Sequence, residues 1–342
     1  MGVNLKDVLI RDEFDLKQLK GKIVAFDAFN VLFQFLSTIR GPDGALLTDN
    51  KGQVTSHLIG LFSRMSKLIK MGVRPIFVFD GQAPELKRTE QRRRRKLKEE
   101  AQKKYEEALE REDLDDAKKY AARTTRLTSE MIDDSKELLT YLGIPVVQAP
   151  SEGEAQAAYM VAKGDAWAVA SQDYDSLLYG APRVIQNLSI VGRRKLGSRI
   201  IHVKPMFMDL EKNLKALNFT RDQLICAAML VGTDFQPGGV RGIGPKKSLA
   251  ALKKYGEDFE LLFKELKWEE HSDVIWQEVF DVIHKMPTTD DYDITFTGVQ
   301  EDKLKHFLVK EHDFSEDRVD KSIKELSKVS SSKQKSLSAF FS

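Results

Sequence analysis

Three short apolar segments place the strongest constraint on the fold of this chain. They read KIVAFD at 22–27, RPIFVFD at 74–80 and DAWAVAS at 165–171. Their length and content are typical of strands buried on both faces of a parallel sheet, and IPVVQ at 144–148 is a fourth run of this kind. Because segments of helical periodicity separate these runs, the sequence predicts an α/β fold with a mostly parallel central sheet flanked by helices.

The overall composition excludes several classes of protein. The 342 residues are 42% hydrophobic and 31% charged, as in a globular protein with a substantial core. No apolar run approaches the ~20 residues that cross a bilayer, and the N-terminus does not resemble a secretory signal. The single cysteine, Cys226, lies in the apolar run LICAAMLVG and is expected to be a buried core residue. We therefore expect an intracellular protein without membrane contact.

Charge is distributed unevenly along the chain. The net charge is +2, yet residues 87–104 contain ten Lys or Arg against three Glu, a local excess of +7 that leaves −5 for the rest. The wider segment 85–128 is highly charged, helical in pattern and too polar for a core. Either a solvated helix or a polyanion-binding element would explain it.

Acidic residues follow the ends of the predicted strands. Asp27 and Asp80 each end an apolar run, and Asp173 and Asp175 come directly after a third. An Asp at such a position is often only a turn or cap residue. However, the carboxyl ends of parallel strands line one crevice, and clustered carboxylates repel each other unless cations neutralise them. The joint pattern predicts a site for Mg²⁺ or Mn²⁺.

Two more acids lie in the segment APSEGEAQAAYMVAKG. Ser151 is placed as a helix N-cap, with Glu154 three residues later completing a capping box. Glu152 would then be favoured by the helix dipole alone. The local sequence favours this capping interpretation over metal ligation, although both can hold at once.

The segment GVRGIGPKKS has the pattern of a helix–hairpin–helix. Gly242 and Gly244 would allow a tight turn, and Pro245 suits the first position of a helix. The amides of that helix end, with Lys246 and Lys247 beside them, would hold a phosphate without reading bases.

Taken together, the stretches FDAFNVLFQFL, VFDGQAPELKRTE, APSEGEAQAA, SQDYDSLLYG and GTDF…GGVRGIGPKK resemble the flap endonucleases, members of the structure-specific 5′ nuclease family, in order and spacing. The resemblance extends from about Gly2 to Phe341. It implies a PIN-like fold and Mg²⁺-dependent removal of 5′ flaps in DNA replication and repair, with 5′–3′ exonuclease activity.

The resemblance also implies the roles of individual residues. It assigns two Mg²⁺ ions, with Mn²⁺ as a substitute, to the carboxylates of Asp27, Asp80, Glu152, Glu154, Asp173, Asp175 and Asp234. Contact with the scissile phosphate is assigned to Lys87 and Arg94. DNA binding is assigned to Gly2, Phe33, Arg40, Arg64 and Arg123, besides the helix–hairpin–helix residues Gly242, Gly244, Lys246 and Lys247. Phe33 departs from relatives that carry a tyrosine there, so stacking is kept and any role of the hydroxyl is lost.

The same resemblance organises the chain into a nuclease core, residues 1–326, and a flexible Ser/Lys-rich tail, residues 327–342. Within the core, residues 1–84 and 129–234 form the nuclease regions, and 85–128 form a helical arch and cap through which a flap threads. Residues 235–260 form the helix–hairpin–helix, where K⁺ is expected, and 261–326 complete the core. From about residue 215 the pattern is entirely helical.

The tail fits the pattern Q-x-x-h-x-x-a-a with which replication proteins dock onto a sliding clamp. Its members are Gln334, Leu337, Phe340 and Phe341. The alternative is a tail that folds back onto its own core. Because only Ser342 follows the motif, the chain resembles archaeal members, which places it in the cytoplasm, whereas a eukaryotic member would be nuclear. We expect a monomer that binds branched DNA and the clamp.

Four other functions compete with this hypothesis. A bubble-cutting excision nuclease of the same superfamily would carry a much longer insertion than residues 85–128, and a plain exonuclease would not prefer flaps. A non-catalytic DNA-binding protein has no use for seven clustered acids. A metal-dependent phosphatase would explain neither the helix–hairpin–helix nor the tail.

Overall fold

A computed structural model describes residues 3–41, 43–121, 123–190, 192–196 and 199–338. A seven-stranded sheet and a separate two-stranded hairpin form its β-structure. The strands are β1 Asp12–Glu13, β2 Ile23–Asp27, β3 Arg74–Phe79, β4 Val146–Gln148, β5 Ala168–Ala170, β6 Arg183–Gln186, β7 Gly192–Leu196, β8 Arg199–Val203 and β9 Met206–Asp209.

Helices precede, connect and follow these strands. They are α1 Ala28–Thr38, α2 Ser56–Lys70, α3 Arg88–Glu110, α4 Leu114–Ala121, α5 Ser129–Tyr141, α6 Gly153–Lys163, α7 Asp175–Leu178, α8 Leu210–Leu217, α9 Arg221–Val231, α10 Pro245–Tyr255, α11 Phe259–Glu265, α12 Trp276–His284, α13 Glu301–Lys305 and α14 Glu316–Ser338. None that the structure describes is long and apolar enough to cross a membrane.

The predicted parallel sheet is confirmed. In the order β1-β9-β6-β5-β2-β3-β4, the strands from β6 to β4 pair in parallel, and only β9 and β1 at one side pair antiparallel. All four apolar runs became strands of this sheet, although DAWAVAS contributes only Ala168–Ala170. Because these strands are parallel, their carboxyl ends lie along one edge.

Helices cover both faces of the sheet, which explains the unbroken apolar runs. Along β2, Val24 and Phe26 belong to one hydrophobic cluster and Ala25 to the other. The same alternation occurs along β3, and the rings of Phe26 and Phe77 stack at 5.2 Å between centroids. Both faces are therefore core, as expected for a doubly covered sheet.

The charged segment is helical, as predicted, and α3 and α4 pack against each other. On α3 only Glu90, Ala101 and Ala108 are buried, so most of its charge faces solvent. After α4, Thr125 Oγ1 accepts a hydrogen bond at 2.8 Å from the guanidinium of Arg40. Arg40 lies just after α1, so this bond connects the charged segment to the end of that helix.

The predicted helix–hairpin–helix corresponds to α9, a loop and α10, so its first helix, Arg221–Val231, lies before the predicted bounds of 235–260. Gly242 has φ +83°, a conformation that favours glycine, and Pro245 is the first residue of α10. Gly244 is extended, with φ −100°, and open space surrounds the position of a Cβ, so of the two glycines only Gly242 uses a conformation that favours glycine.

The helical prediction beyond residue 215 is correct for α9 to α14 but fails for residues 286–300, which have neither helix nor strand. That segment is held by side chains instead, since Gln156 exchanges two hydrogen bonds with the backbone of Thr289. At the C-terminal end, α14 continues through residue 327, where the flexible tail was predicted to begin, as far as Ser338.

Candidate active site

The sheet edge brings together the acids that the sequence placed at strand ends. Asp27 ends β2, Asp80 directly follows β3, and Asp173 and Asp175 follow β5. Since β2 pairs with both β3 and β5, these ends are neighbours. The four carboxylates therefore lie close enough together to shift each other's pKa.

Burial and crowding raise the pKa of several of these carboxyl groups. The pKa of Asp27 lies well above its ordinary value because of burial and of repulsion from Asp80, Asp173 and Glu152. Burial, then repulsion from Glu152, raises the pKa of Asp80 to about 6. Burial, then Asp173, raises that of Asp175 to about 7. Such a cluster is ionised at neutral pH only with help from nearby cations.

The capping box predicted at Ser151 and Glu154 is wrong. The N-cap of α6 is Glu152, without a side-chain cap, and Ser151 Oγ donates to the Gln82 carbonyl at 2.9 Å. Glu154 Oε1 instead accepts hydrogen bonds from Ser171 Oγ at 2.6 Å and Ser176 Oγ at 3.0 Å. Burial, then repulsion from Asp27, Asp175 and Asp173, raises the pKa of Glu154 well above its ordinary value. Glu154 therefore belongs to the acidic cluster.

A carboxylate from outside α6 caps that helix. Asp80 Oδ1 accepts a hydrogen bond from the Gly153 amide at 2.7 Å. A Cβ at position 153 would lie 2.8 Å from this oxygen, so the side chain that glycine lacks would displace the cap. The glycine between the two glutamates thus lets β3 and α6 approach closely enough to share one site.

Asn30 links two of the acids, a role that the sequence did not reveal. Its amide Nδ2 donates to Asp173 Oδ2 at 3.1 Å, and its backbone amide donates to Asp27 Oδ1 at 3.1 Å. Its Oδ1 also accepts from the Gln172 amide at 3.3 Å. An Asn three residues after Asp27 is compatible with capping α1, but nothing in the sequence indicates a partner on the loop after β5.

Two basic residues at the start of the charged segment reach the acids. Lys87 Nζ lies 2.5 Å from Glu152 Oε2 and 3.5 Å from Asp234 Oδ2. Burial acts to lower the pKa of Lys87, but these carboxylates outweigh it and raise that pKa. Arg94 pairs with Asp234 and donates through Nε to Glu90 Oε1 at 2.7 Å. Both residues therefore lie at the edge of the acidic cluster.

The donor set suits a hard divalent cation. Carboxylate oxygens that repel one another are the ligands that Mg²⁺ prefers, because its charge relieves the repulsion. Within the described part of the chain, no three acidic, histidine or cysteine side chains are already arranged to enclose a metal ion. Two of the seven, Glu152 and Asp234, are engaged by Lys87 and Arg94, so ligation by them requires these ion pairs to open.

The predicted DNA contacts differ in their surroundings. Lys98 Nζ on α3 lies 4.9 Å from the centre of the Phe33 ring. The Arg40 guanidinium donates to the carbonyls of Leu36 and Gly44 at 2.8 Å each, so much of its donor capacity is used within the protein. Arg64 is half-buried and Arg123 is exposed, whereas Gly2 lies outside the described residues.

The helix–hairpin–helix presents the predicted basic residues. Lys246 and Lys247 are exposed in the first turn of α10, and Lys247 Nζ donates to the Gly242 carbonyl at 3.0 Å. Of the predicted clamp motif, Phe340 and Phe341 lie outside the described residues, as do the side chains of Gln334 and Leu337.

Comparison with known proteins identifies the class of this fold and site. The XPG N-terminal domain matches residues 1–101, and the XPG I-region matches residues 143–234. Flap endonuclease 1 of Aeropyrum pernix is 47% identical over 334 residues, 96% of this chain and 95% of that protein. Flap endonuclease 1 of Pyrococcus furiosus is 47% identical over 344 residues, 100% of this chain and 99% of that protein.

Solved structures agree with these relatives. Flap endonuclease-1 from Methanococcus jannaschii superposes with a TM-score of 0.76 at 40% identity, covering 97% of this chain and all of that one. The catalytic core of Rad2 in complex with DNA substrate superposes with a TM-score of 0.70 at 25% identity, covering 95% and 100%. The fold is thus that of an XPG-type nuclease. Within that class, the chain belongs to the flap endonuclease family.

Proposed function

We propose that this protein hydrolyses a phosphodiester near a single-strand/double-strand junction of DNA and releases the 5′ flap, with two Mg²⁺ ions as cofactors. The observation that carries the proposal is the meeting of two groups of charges. Seven carboxylates come from three strand ends, the start of α6 and the loop after α9, and they meet Lys87, just before α3, and Arg94, on α3. Membership of the flap endonuclease family gives the substrate class.

The residues divide into ligands and phosphate-binding groups. Asp80, Glu152, Glu154, Asp173 and Asp175 would hold the metals, and Asp27 and Asp234 would ligate directly or through water. When bound, the metals lower the pKa of a water molecule and offset charge on the leaving oxygen. Lys87 and Arg94 would neutralise charge that develops on the phosphate. The products would be a 5′-phosphate and a 3′-hydroxyl.

Lys87 and Arg94 would pair with different groups before and after the substrate binds. Without DNA they pair with Glu152 and Asp234 and stabilise the crowded carboxylates. With divalent ions held by the acids, the Lys87 ammonium and the Arg94 guanidinium would be released from these pairs and could bind a phosphate. The same side chains would thus stabilise the resting site and the substrate complex.

The remaining parts of the chain would hold and select the DNA. Exposed lysines and arginines on α3 would attract a single strand, and Phe33 would stack on a base. The first turn of α10, with Lys246 and Lys247, would grip the backbone of the duplex. A K⁺ ion on the carbonyls of this hairpin would have to displace Lys247 Nζ from Gly242. The C-terminal motif would dock onto a sliding clamp of the PCNA type, in the cytoplasm of an archaeal cell.

Replacement of Asp173 tests the metal assignment. The Asp173→Ala variant should lose flap cleavage in Mg²⁺ yet bind a flap substrate with an affinity close to that of the wild type. Glu211→Ala is a matched control, because this exposed acid of α8 has its ion pair, among the described residues, with Lys215 on the same helix. Wild-type turnover by Asp173→Ala would refute the assignment.

A further inference from the structure

Glu90 is an unusual residue for the place it occupies. It lies in the first turn of α3, a helix whose only other buried residues are two alanines, and it is 3% exposed. A typical surface pair on the same helix joins Arg95 and Glu99, with side-chain exposures of 79% and 47%. An acid buried this close to an acidic cluster costs free energy unless cations compensate it.

Two arginines provide that compensation. Glu90 Oε2 accepts from Arg93 Nε at 2.6 Å, and Glu90 Oε1 accepts from Arg93 Nη2 at 2.8 Å and from Arg94 Nε at 2.7 Å. Burial alone would raise the pKa of Glu90, but these hydrogen bonds outweigh it and lower that pKa. The carboxylate is therefore ionised, and the group of three side chains keeps one positive charge.

Glu90 holds one edge of the Arg94 guanidinium in place through a hydrogen bond to Nε. Glu90 holds Nε, while Nη2 of the same planar group pairs with Asp234 at the active site. Because the guanidinium is rigid, fixing Nε determines the direction in which its other nitrogens point. Glu90 and Arg94 are four residues apart on one helix, so their contact survives when the Asp234 pair opens.

We infer that Glu90 is a positioning residue, which holds Arg94 by Nε while the terminal nitrogens transfer from Asp234 to the scissile phosphate. This inference rests on the proposed function, in which Arg94 meets that phosphate. Glu90 does not touch substrate in this account and acts only through Arg94.

A double-mutant cycle tests the inference. The full-length wild type, Glu90→Ala, Arg94→Ala and the double variant would be compared by single-turnover cleavage of a flap in Mg²⁺, by flap affinity in Ca²⁺ and by thermal unfolding. Glu90→Ala should slow cleavage about 10- to 100-fold, as expected for a misplaced catalytic group, and change affinity less than about threefold. In the Arg94→Ala background the same change should slow cleavage less than about twofold.

Two further variants complete the design. Glu90→Gln keeps an oxygen that can accept from Arg94 Nε and should retain more activity than Glu90→Ala, and this variant decides the cycle if the alanine variant does not fold. Glu99→Ala removes an exposed acid of the same helix and should cleave at the wild-type rate. An equal loss in both Arg94 backgrounds, or no loss from either Glu90 change, would overturn the inference. Failure of the wild type itself to cut flaps would instead refute the proposed function.

Discussion

A buried histidine outside the acidic cluster should make folding stability depend on pH. His57 on α2 is fully buried, and neither of its ring nitrogens has a hydrogen-bond partner among the described residues. Burial, with repulsion from His312, lowers the pKa of His57 from 6.5 to about 4. The imidazole is therefore neutral in the folded protein at pH values where it is charged in the unfolded chain.

The sign and size of the effect follow from proton linkage. Well above pH 6.5 the ring is neutral in both states, so it adds no pH dependence to the free energy of unfolding. As the pH falls from 6.5 towards 4, the unfolded state binds a proton that the folded state does not, so the folded state loses about 1.4 kcal/mol per pH unit. Between pH 7 and pH 5 the loss is about 2 kcal/mol.

A variant without a titratable side chain at position 57 isolates the contribution of His57. Urea unfolding of the wild type and of His57→Leu would be measured at pH 7 and pH 5. The free energy of unfolding of the wild type should fall by about 2 kcal/mol more than that of the variant, since the acidic cluster contributes equally to both. Equal pH dependence in the two proteins would refute the reasoning.

Two other substitutions have defined outcomes. Asn30→Ala removes the amide that donates to Asp173, and it should raise the Mg²⁺ concentration for half-maximal cleavage about 10- to 100-fold, whereas an unchanged metal titration would contradict this role. Gly60→Ala adds a Cβ that would lie 2.3 Å from Cγ of Phe35. The overpacking, about 1–3 kcal/mol, should exceed the gain in helix propensity of about 1 kcal/mol, so a urea midpoint at or above that of the wild type would contradict the packing.

The strand-end acids were predictable because their position depends only on local pattern. An Asp that follows an apolar run of strand length lies at the carboxyl edge wherever that run joins a parallel sheet. Asp27, Asp80 and Asp173 all lie at that edge. The capping box at Ser151 failed for the opposite reason. Its local pattern was correct, but Ser171 and Ser176 reached Glu154 from elsewhere in the chain, and tertiary hydrogen bonds displaced the local ones.

The residues that support the site could not be predicted from the sequence, because their roles depend on tertiary contacts and burial. Asn30 contacts Asp173 across 143 positions, and no periodicity encodes such a pair. Glu90 is one of three glutamates among ten basic residues at 87–104, and no feature of the sequence shows that it is the buried one. The sequence therefore predicted the groups expected to act on substrate but not the groups that orient them.

Product mapping on a double-flap DNA substrate in Mg²⁺ tests the central claim most directly. A substrate labelled at its 5′ end reports where the chain cuts and whether the flap leaves in one piece. We expect a single short labelled product that is cut near the junction and ends in a 3′-hydroxyl. It should form only when Mg²⁺ or Mn²⁺ is present. Mononucleotides alone, cleavage without a divalent cation, or no cleavage at any concentration of either metal would contradict the central claim.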